Sequence, residues 1–236
     1  MYGAADMAGV SRLQYASDMR FVRVMCSGRV DLEFLLRAFS NGQDGVFVGG
    51  CRLNECNYIT QGNFDALGNV LLCKRILRYV GLNPNRIQIR FLSASEGNYL
   101  AECINAFVRE VQQLGPLGSS EELPAERMRL RIDGIRRLVP YLRLVERERM
   151  RIHPKTEEAY LRFYESEEFE RLFQELVTGK AAISQILLVL QEKPRSTGEL
   201  AGALDLSPSD IARTMNMASR FGFVRYDTND NRYALA

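Results

Sequence analysis

Two hydrophobic periods alternate along the first 115 residues. Short apolar runs at 21–25 (Phe-Val-Arg-Val-Met) and 45–48 (Gly-Val-Phe-Val), and the alternating run 86–91 (Arg-Ile-Gln-Ile-Arg-Phe), predict strands. Between them apolar residues recur at helical spacing. Residues 31–40 predict a helix with Asp31 as N-cap, Phe34, Leu35, Ala38 and Phe39 on one face, and Asn41-Gly42 at its end. Residues 64–80 predict a second helix closed by Gly81, and 98–114 a third ending at Gly115-Pro116. At the front, Tyr2–Gly9 predicts a short helix whose small residues allow close packing. Strands alternating with helices indicate an α/β layer, here a small parallel sheet flanked by helices. The three predicted strands make it a thin one.

The pattern changes after Gly115. Gly, Pro and Ser cluster at 116–125 and predict a linker. Residues 126–151 are Arg-rich and helical in period, and Pro140 is expected to kink or split that helix. Residues 156–177 predict an acidic helix able to pair with the basic one as a hairpin, or to stand as a second solvated amphipathic helix. From 181 onward the signals are denser. A helix at 182–190 stops at Lys193-Pro194, and Ser196-Thr-Gly-Glu199 opens the next with a capping box. Ser207-Pro208-Ser209-Asp210 opens a third, with Ile211, Met215, Ala218 and Phe221 facing inward. Residues 223–226 and 232–235 then read as a hairpin. Three helices followed by a hairpin is a winged helix-turn-helix pattern. The chain therefore divides into 1–115, an α/β domain; 116–180, a linker and helical segment; and 181–236, a winged-helix-like domain.

Composition narrows the chemistry. The 236 residues are 46% hydrophobic and 25% charged, with a net charge of +2 that selects no partner class. No apolar run approaches the roughly 18 residues of a membrane span, and the start lacks the basic and apolar regions of a signal peptide. The expected location is the cytoplasm. Five cysteines, an odd number, do not suggest a disulfide framework in such a compartment. A single histidine, His153, leaves thiolates or carboxylates as the ligands of any multidentate site.

Three cysteines gather near predicted strand ends. Cys26 follows 21–25; Cys51 follows 45–48 and Gly49-Gly50; Cys56 comes five residues later. Ligands bind open α/β sheets at that edge. Cys26, Cys51 and Cys56 are candidate thiolate ligands of an iron–sulfur cluster, with Gly28, Gly49 and Gly50 allowing close approach. Arg29 and Arg52 are candidate donors to its sulfurs. Zinc, a redox thiol and plain buried cysteine remain alternatives, since three thiols are one short of the usual four. Cys73 and Cys103 lie inside amphipathic helices and read as structural.

Residues 1–115 resemble the delta subunit of methyl-viologen-reducing hydrogenase, the small iron–sulfur subunit that works with heterodisulfide reductase. The resemblance rests on five runs in order: Tyr2–Gly9, Val22–Asp31, Asp44–Cys51, Cys56-Asn57-Tyr58 and Ser93–Gly97. It implies a two-iron, two-sulfur cluster and electron relay to a flavin-containing partner, with Cys26, Cys51 and Cys56 on the family's cysteine positions and Cys73 and Cys103 off them. Family members carry a further strand and a Cys-x-x-Cys-like run before the Tyr-Gly-Ala-Ala-Asp segment, where Met1 stands here. The expectation is that the reading frame starts upstream, with an in-frame strand and a Cys or selenocysteine (TGA) codon before Met1. Sequencing the upstream DNA tests this.

Three functions follow from these expectations. The first is an electron-transfer subunit between a hydrogenase or formate dehydrogenase module and a heterodisulfide-reductase-like flavoprotein, without substrate turnover of its own. The second is a redox-responsive winged-helix regulator, whose DNA-reading residues would be Ser209, Arg213, Asn216 and Arg220. The third is a cluster-free assembly scaffold. Few cations face DNA in the tail, which favours protein docking over nucleic acid.

Overall fold

The sheet near the front of the chain has two strands, not three. In the computed structural model, which describes residues 2–58 and 61–236 (Tyr2 by its backbone alone), β1 (Val46–Cys51) and β2 (Ile87–Leu92) run parallel. Met1, and residues 59–60 of the 49–62 cysteine loop, lie outside the described residues. The strand expected at 21–25 is absent. That segment is irregular, with Val22 86% and Met25 96% exposed. An apolar run becomes a strand only where a neighbour takes its backbone N–H and C=O groups. No described strand does so for 21–25.

Before the sheet come α1 (Tyr2–Val10) and α2 (Leu32–Ser40). Asp31 caps α2 as expected, its carboxylate accepting from the Glu33 N–H. The buried stripe is Leu32, Leu35, Leu36 and Phe39, spaced i, i+3, i+4, i+7. Phe34 falls outside that stripe and is exposed, contrary to expectation. After β1, α3 (Asn63–Val80) closes on Gly81, whose φ of +96° needs glycine. After β2 comes α4 (Gly97–Leu114).

Strand parity places these helices. Ile89 and Phe91 pack with Phe64 and Leu67 of α3. Leu92 and Phe47 pack with Leu100 and Ile104 of α4. Alternate strand residues face opposite ways, so α3 and α4 cover opposite faces of the sheet. The small residues of α1 are used as expected: a Cβ on Gly97 would stand 2.8 Å from the Ala8 nitrogen, and one on Gly3 would stand 2.6 Å from the Ala94 Cβ.

The expected linker is pinned rather than free. Arg86 reads in the sequence as a polar strand residue, yet it ends a short 3-10 turn (Pro84–Arg86) and is 0% exposed. Its guanidinium forks onto Glu121 (Nε to Oε1 2.6 Å, Nη2 to Oε2 3.0 Å) and donates to the Asp44, Leu114, Gly115 and Pro116 carbonyls.

By packing, the described chain forms two units, 1–123 with 152–166, and 124–151 with 167–236. The 116–180 segment is thus shared between them. In the second unit the Arg-rich stretch splits into α5 (Ala125–Arg136) and α6 (Val139–Arg149), with Pro140 in the first turn of α6. The acidic stretch also splits, at Glu165-Ser166. Its first half, α7 (Glu157–Tyr164), belongs to the first unit and sets Tyr160 against Phe64 of α3, ring centroids 5.5 Å apart. Its second half, α8 (Glu167–Phe173), runs through a π-helical turn (Gln174–Thr178) into α9 (Gly179–Glu192). The expected basic–acidic hairpin is therefore not the arrangement seen. α5 packs on α9, where Gly134 meets Gln185, and Arg149 pairs with Glu175 at 2.7 Å.

Helix 167–192 is the one described helix long and apolar enough to cross a membrane, and half of its apolar window is buried within the protein. Ile186, Val189 and Leu190 join the core of the second unit with Leu200, Leu204, Ile211 and Met215.

The last 60 or so residues follow the predicted order. α10 (Thr197–Leu204) has the capping box, with Ser196 and Glu199 each bonding the other's backbone N–H. α11 (Pro208–Arg220) starts at Ser207-Pro208, and β3 (Val224–Asp227) pairs antiparallel with β4 (Arg232–Leu235). Arg195 adds a bridge to Tyr233. Phe221, expected inside, is 67% exposed. It is the C-cap of α11, past the buried stripe Ile211, Thr214, Met215 and Ala218. Ser196→Ala removes one half of the box and is expected to cost the second unit about 1 kcal/mol, read as a lower urea midpoint.

Candidate functional site

The first unit brings the glycines and cysteines of the predicted site to one end of the sheet. Cys26 is the N-cap of a 3-10 turn, Ser27–Arg29, that lies against β1 and α3. Gly28 in that turn sits directly on Gly62, the residue before α3: a Cβ at Gly28 would stand 2.5 Å from the Gly62 Cα. Gly62 in turn touches Cys56, where its own Cβ would stand 2.8 Å from Sγ. Gly62 adopts φ +71°, ψ −111°, a conformation open to glycine. On β1, a Cβ at Gly50 would stand 3.1 Å from Ser27 Oγ. The turn carrying Cys26 therefore meets both the Cys56 loop and the end of β1 that carries Cys51.

The thiols differ in setting. Cys26 and Cys51 are half-buried, Cys56 is buried, and all are free. Cys51 has the strand parity of Phe47, toward α4, whereas Gly50 and the Ser27 turn share the α3 face. Among the described residues no three His, Cys, Asp or Glu side chains form a group that could hold a metal ion. Cys73 and Cys103 are buried in α3 and α4, and burial pushes the Cys73 thiol above the ordinary cysteine range.

Three residues that sequence reasoning passed over shape the site. Asn63, fully buried at the start of α3, donates from Nδ2 to the Cys51 carbonyl (3.2 Å) and the Arg52 carbonyl (2.8 Å), fixing the chain beyond β1. Its Oδ1 has no partner among the described residues. Ser27 is 7% exposed, and its hydroxyl is likewise without a described partner. Glu96 takes both arms of Arg52, with Nε to Oε2 at 3.2 Å, and accepts from the Ser93 N–H at 2.7 Å. The Ser93 N–H first, and then Arg52, hold the Glu96 carboxyl below the usual range. Arg52 is thus committed to Glu96, and Arg29 is exposed at the end of its turn. Only Glu96 had a signal in the sequence, as the acid of a small-residue loop just after a strand. Asn63 and Ser27 had none beyond their neighbours, because burial comes from packing.

The donor chemistry suits a thiolate-bound group. That holds for the residue types, sulfur without histidine beside glycine backbones set too close for a Cβ, but not for their arrangement, because Cys51 lies on the α4 face and the Ser27 turn on the α3 face, and no three ligand side chains come together among the described residues. The set of three is one thiolate short.

The sequence comparisons match this end of the chain. A model of the family described as methyl-viologen-reducing hydrogenase, delta subunit, matches residues 1–115. An iron-sulfur subunit of the F420-non-reducing hydrogenase of Archaeoglobus profundus is 44% identical over 115 residues, 49% of this chain and 83% of that protein. The chain belongs to the hydrogenase delta-subunit family. A Methanococcus maripaludis relative, the iron-sulfur subunit of the vhu F420-non-reducing hydrogenase, is 42% identical over 49% of this chain and 85% of its own length. One subunit of the ferredoxin:CoB-CoM heterodisulfide reductase of Methanosarcina mazei is 44% identical over 118 residues, 50% of this chain. This chain covers only 15% of that longer relative. The delta-subunit likeness resides in the first unit, where all of the candidate site residues lie.

Proposed function

We propose that this delta-subunit relative relays electrons, one at a time, within a hydrogenase- and heterodisulfide-reductase-type complex. The carrier is an iron–sulfur cluster, two-iron and two-sulfur by the family resemblance, with Cys26, Cys51 and Cys56 as ligands and further ligation from outside this set. Arg29 and Arg52 bring positive charge to its surroundings. The partners are a heterodisulfide-reductase-like flavoprotein and a hydrogenase or formate dehydrogenase module, in the cytoplasm. The observation that carries this reading is the meeting of Ser27 with Gly50, Gly28 with Gly62, and Gly62 with Cys56, in the stretch that matches the family.

The second unit supports docking rather than DNA reading, if it acts as a winged helix. Arg213 on α11 is held by Asp210 one turn earlier. The exposed end of that helix carries Met217 and Phe221, with Phe223 beside it at 5.9 Å between ring centroids. Apolar rings suit a protein surface better than phosphates.

The test is anaerobic purification of the full chain after reconstitution with ferrous iron and sulfide. Iron and sulfide are expected to stay bound, to give an electron paramagnetic resonance signal on reduction, and to be largely lost in Cys56→Ala. A wild-type chain free of iron under those conditions removes the electron-relay reading. A salt-dependent shift of random duplex DNA would instead favour the regulator.

A further inference from the structure

We infer that the free edge of β2 is a docking site for an acidic, extended segment of a partner protein, which joins the sheet there as a further strand. This edge belongs to the first unit, and its use does not depend on a bound cluster. β2 pairs with β1 and with no other described strand. Among the described residues no further backbone hydrogen bond reaches Ile87–Leu92 from the other side. An edge strand presents a row of N–H and C=O groups still to be paired. Side chains of α3 and α4 cover its two faces. The open approach is therefore in the plane of the sheet.

Charge along this edge selects the partner's chemistry. Leu67 and Leu71 of α3 join the cluster that holds Ile89 and Phe91 of β2. Lys74 and Arg78 continue that helix face at steps of three and four residues, and Arg90 lies on β2 itself. Arg78 and Arg90 are exposed, and Lys74 is half-buried. Neither Lys74 nor Arg78 has a hydrogen bond or ion pair with a described residue. Arg90 reaches the Ile89 carbonyl beside it, at 3.5 Å. Burial, and then the charges of Arg90 and Arg78, push the Lys74 ammonium below the ordinary lysine range. Glu110 opposes them as the weakest of these influences, and it already accepts from Gln88 Nε2.

Cations on a sheet edge deter a second edge of the same kind. They favour a strand that carries acids, because opposite charges on neighbouring strands attract. In such strand addition main-chain bonds supply affinity and side chains supply selection.

The experiment offers the full chain a fluorescent peptide of about ten residues, a strand's length, that alternates glutamate with valine. Binding is read by anisotropy, and amide hydrogen exchange of β2 is followed in parallel. Saturable binding that slows exchange in β2 is the expected result. Arg78→Gln with Arg90→Gln, both at exposed positions that spare the fold, should weaken it about three- to tenfold. Methylating every backbone nitrogen of the peptide keeps its charges, removes its donors and should abolish binding. No binding of the acidic peptide overturns the inference. Equal binding of the methylated peptide does so too, since charge alone then suffices. Equal binding by the double variant overturns it because the cations then play no part. Exchange slowed elsewhere but not in β2 puts the peptide at another site and likewise rejects the edge. Iron content enters none of these outcomes, so a failure here leaves the electron-relay reading standing.

Discussion

Arg86→Met is expected to destabilise the first unit by about 3 to 5 kcal/mol, against a total of about 5 to 15 for a typical domain. Methionine roughly fills the space, so the loss is not mainly a cavity. What the variant loses is the partner of Glu121, itself 7% exposed, and the donor to four carbonyls at Asp44, Leu114, Gly115 and Pro116. Buried groups left in that state carry their full desolvation penalty. Replacing Glu121 with Leu as well should recover part of the loss, because the unpaired carboxylate goes with it. Urea unfolding of the single and double variants measures both. The pair also has a pH signature. Burial pulls the Glu121 carboxyl upward, but hydrogen bonds from Arg86 and the Asn83 N–H and the charge of Arg86 outweigh it and leave the carboxyl below its ordinary value. A depressed carboxyl stabilises the fold at neutral pH. That contribution is present above the ordinary glutamate range and fades as pH falls through the lowered value.

Gly28→Ala is the second large effect, and it acts on the site. The new methyl would stand 2.5 Å from the Gly62 Cα and 2.9 Å from its nitrogen and oxygen. Backbone cannot swing aside as a side chain can, so the turn carrying Cys26 must part from the loop carrying Cys56. The expected outcome is loss of most bound iron after reconstitution, together with a destabilisation of about 1 to 3 kcal/mol, the range of a strained or overpacked site. Gly9→Ala, whose Cβ meets nothing within 4 Å in α1, is the control: it should leave iron content unchanged and stability unchanged or up to about 1 kcal/mol higher. Full iron retention in Gly28→Ala would mean that the Gly28–Gly62 contact does not bound the cluster pocket.

Elements that depend on local chemistry were legible in the sequence. Asp31, Ser196 and Ser207 cap the helices they were expected to cap, Gly81 closes α3, and Pro140 stands where one helix becomes two. Elements that depend on distant partners were not. Residues 21–25 have strand composition, but a strand also requires an edge to join. Arg86 alternates correctly with Gln88 and Arg90, and nothing in that alternation announces that Glu121, 35 positions later, returns to meet it. Phe34 lies one position beside a buried stripe, and Phe221 keeps the spacing of its stripe but falls past the end of the helix. At the candidate site, cysteine and glycine identity pointed to the end of the sheet where Gly28, Gly50 and Gly62 make their close contacts. The commitment of Arg52 to Glu96 and the isolation of the Ser27 hydroxyl depend on which loops come together, and spacing along the chain does not encode that.

The passage of the chain through 124–151 into the second unit, back through 152–166, and out again has a practical meaning for anyone dissecting this molecule. Kinship with the delta subunits stops at residue 115, but the fold of the first unit does not. A fragment trimmed to the shared region keeps Arg86 without Glu121 and Phe64 without Tyr160. Residues beyond the matched region complete the first unit, so an expression product that keeps these contacts must run at least to residue 166.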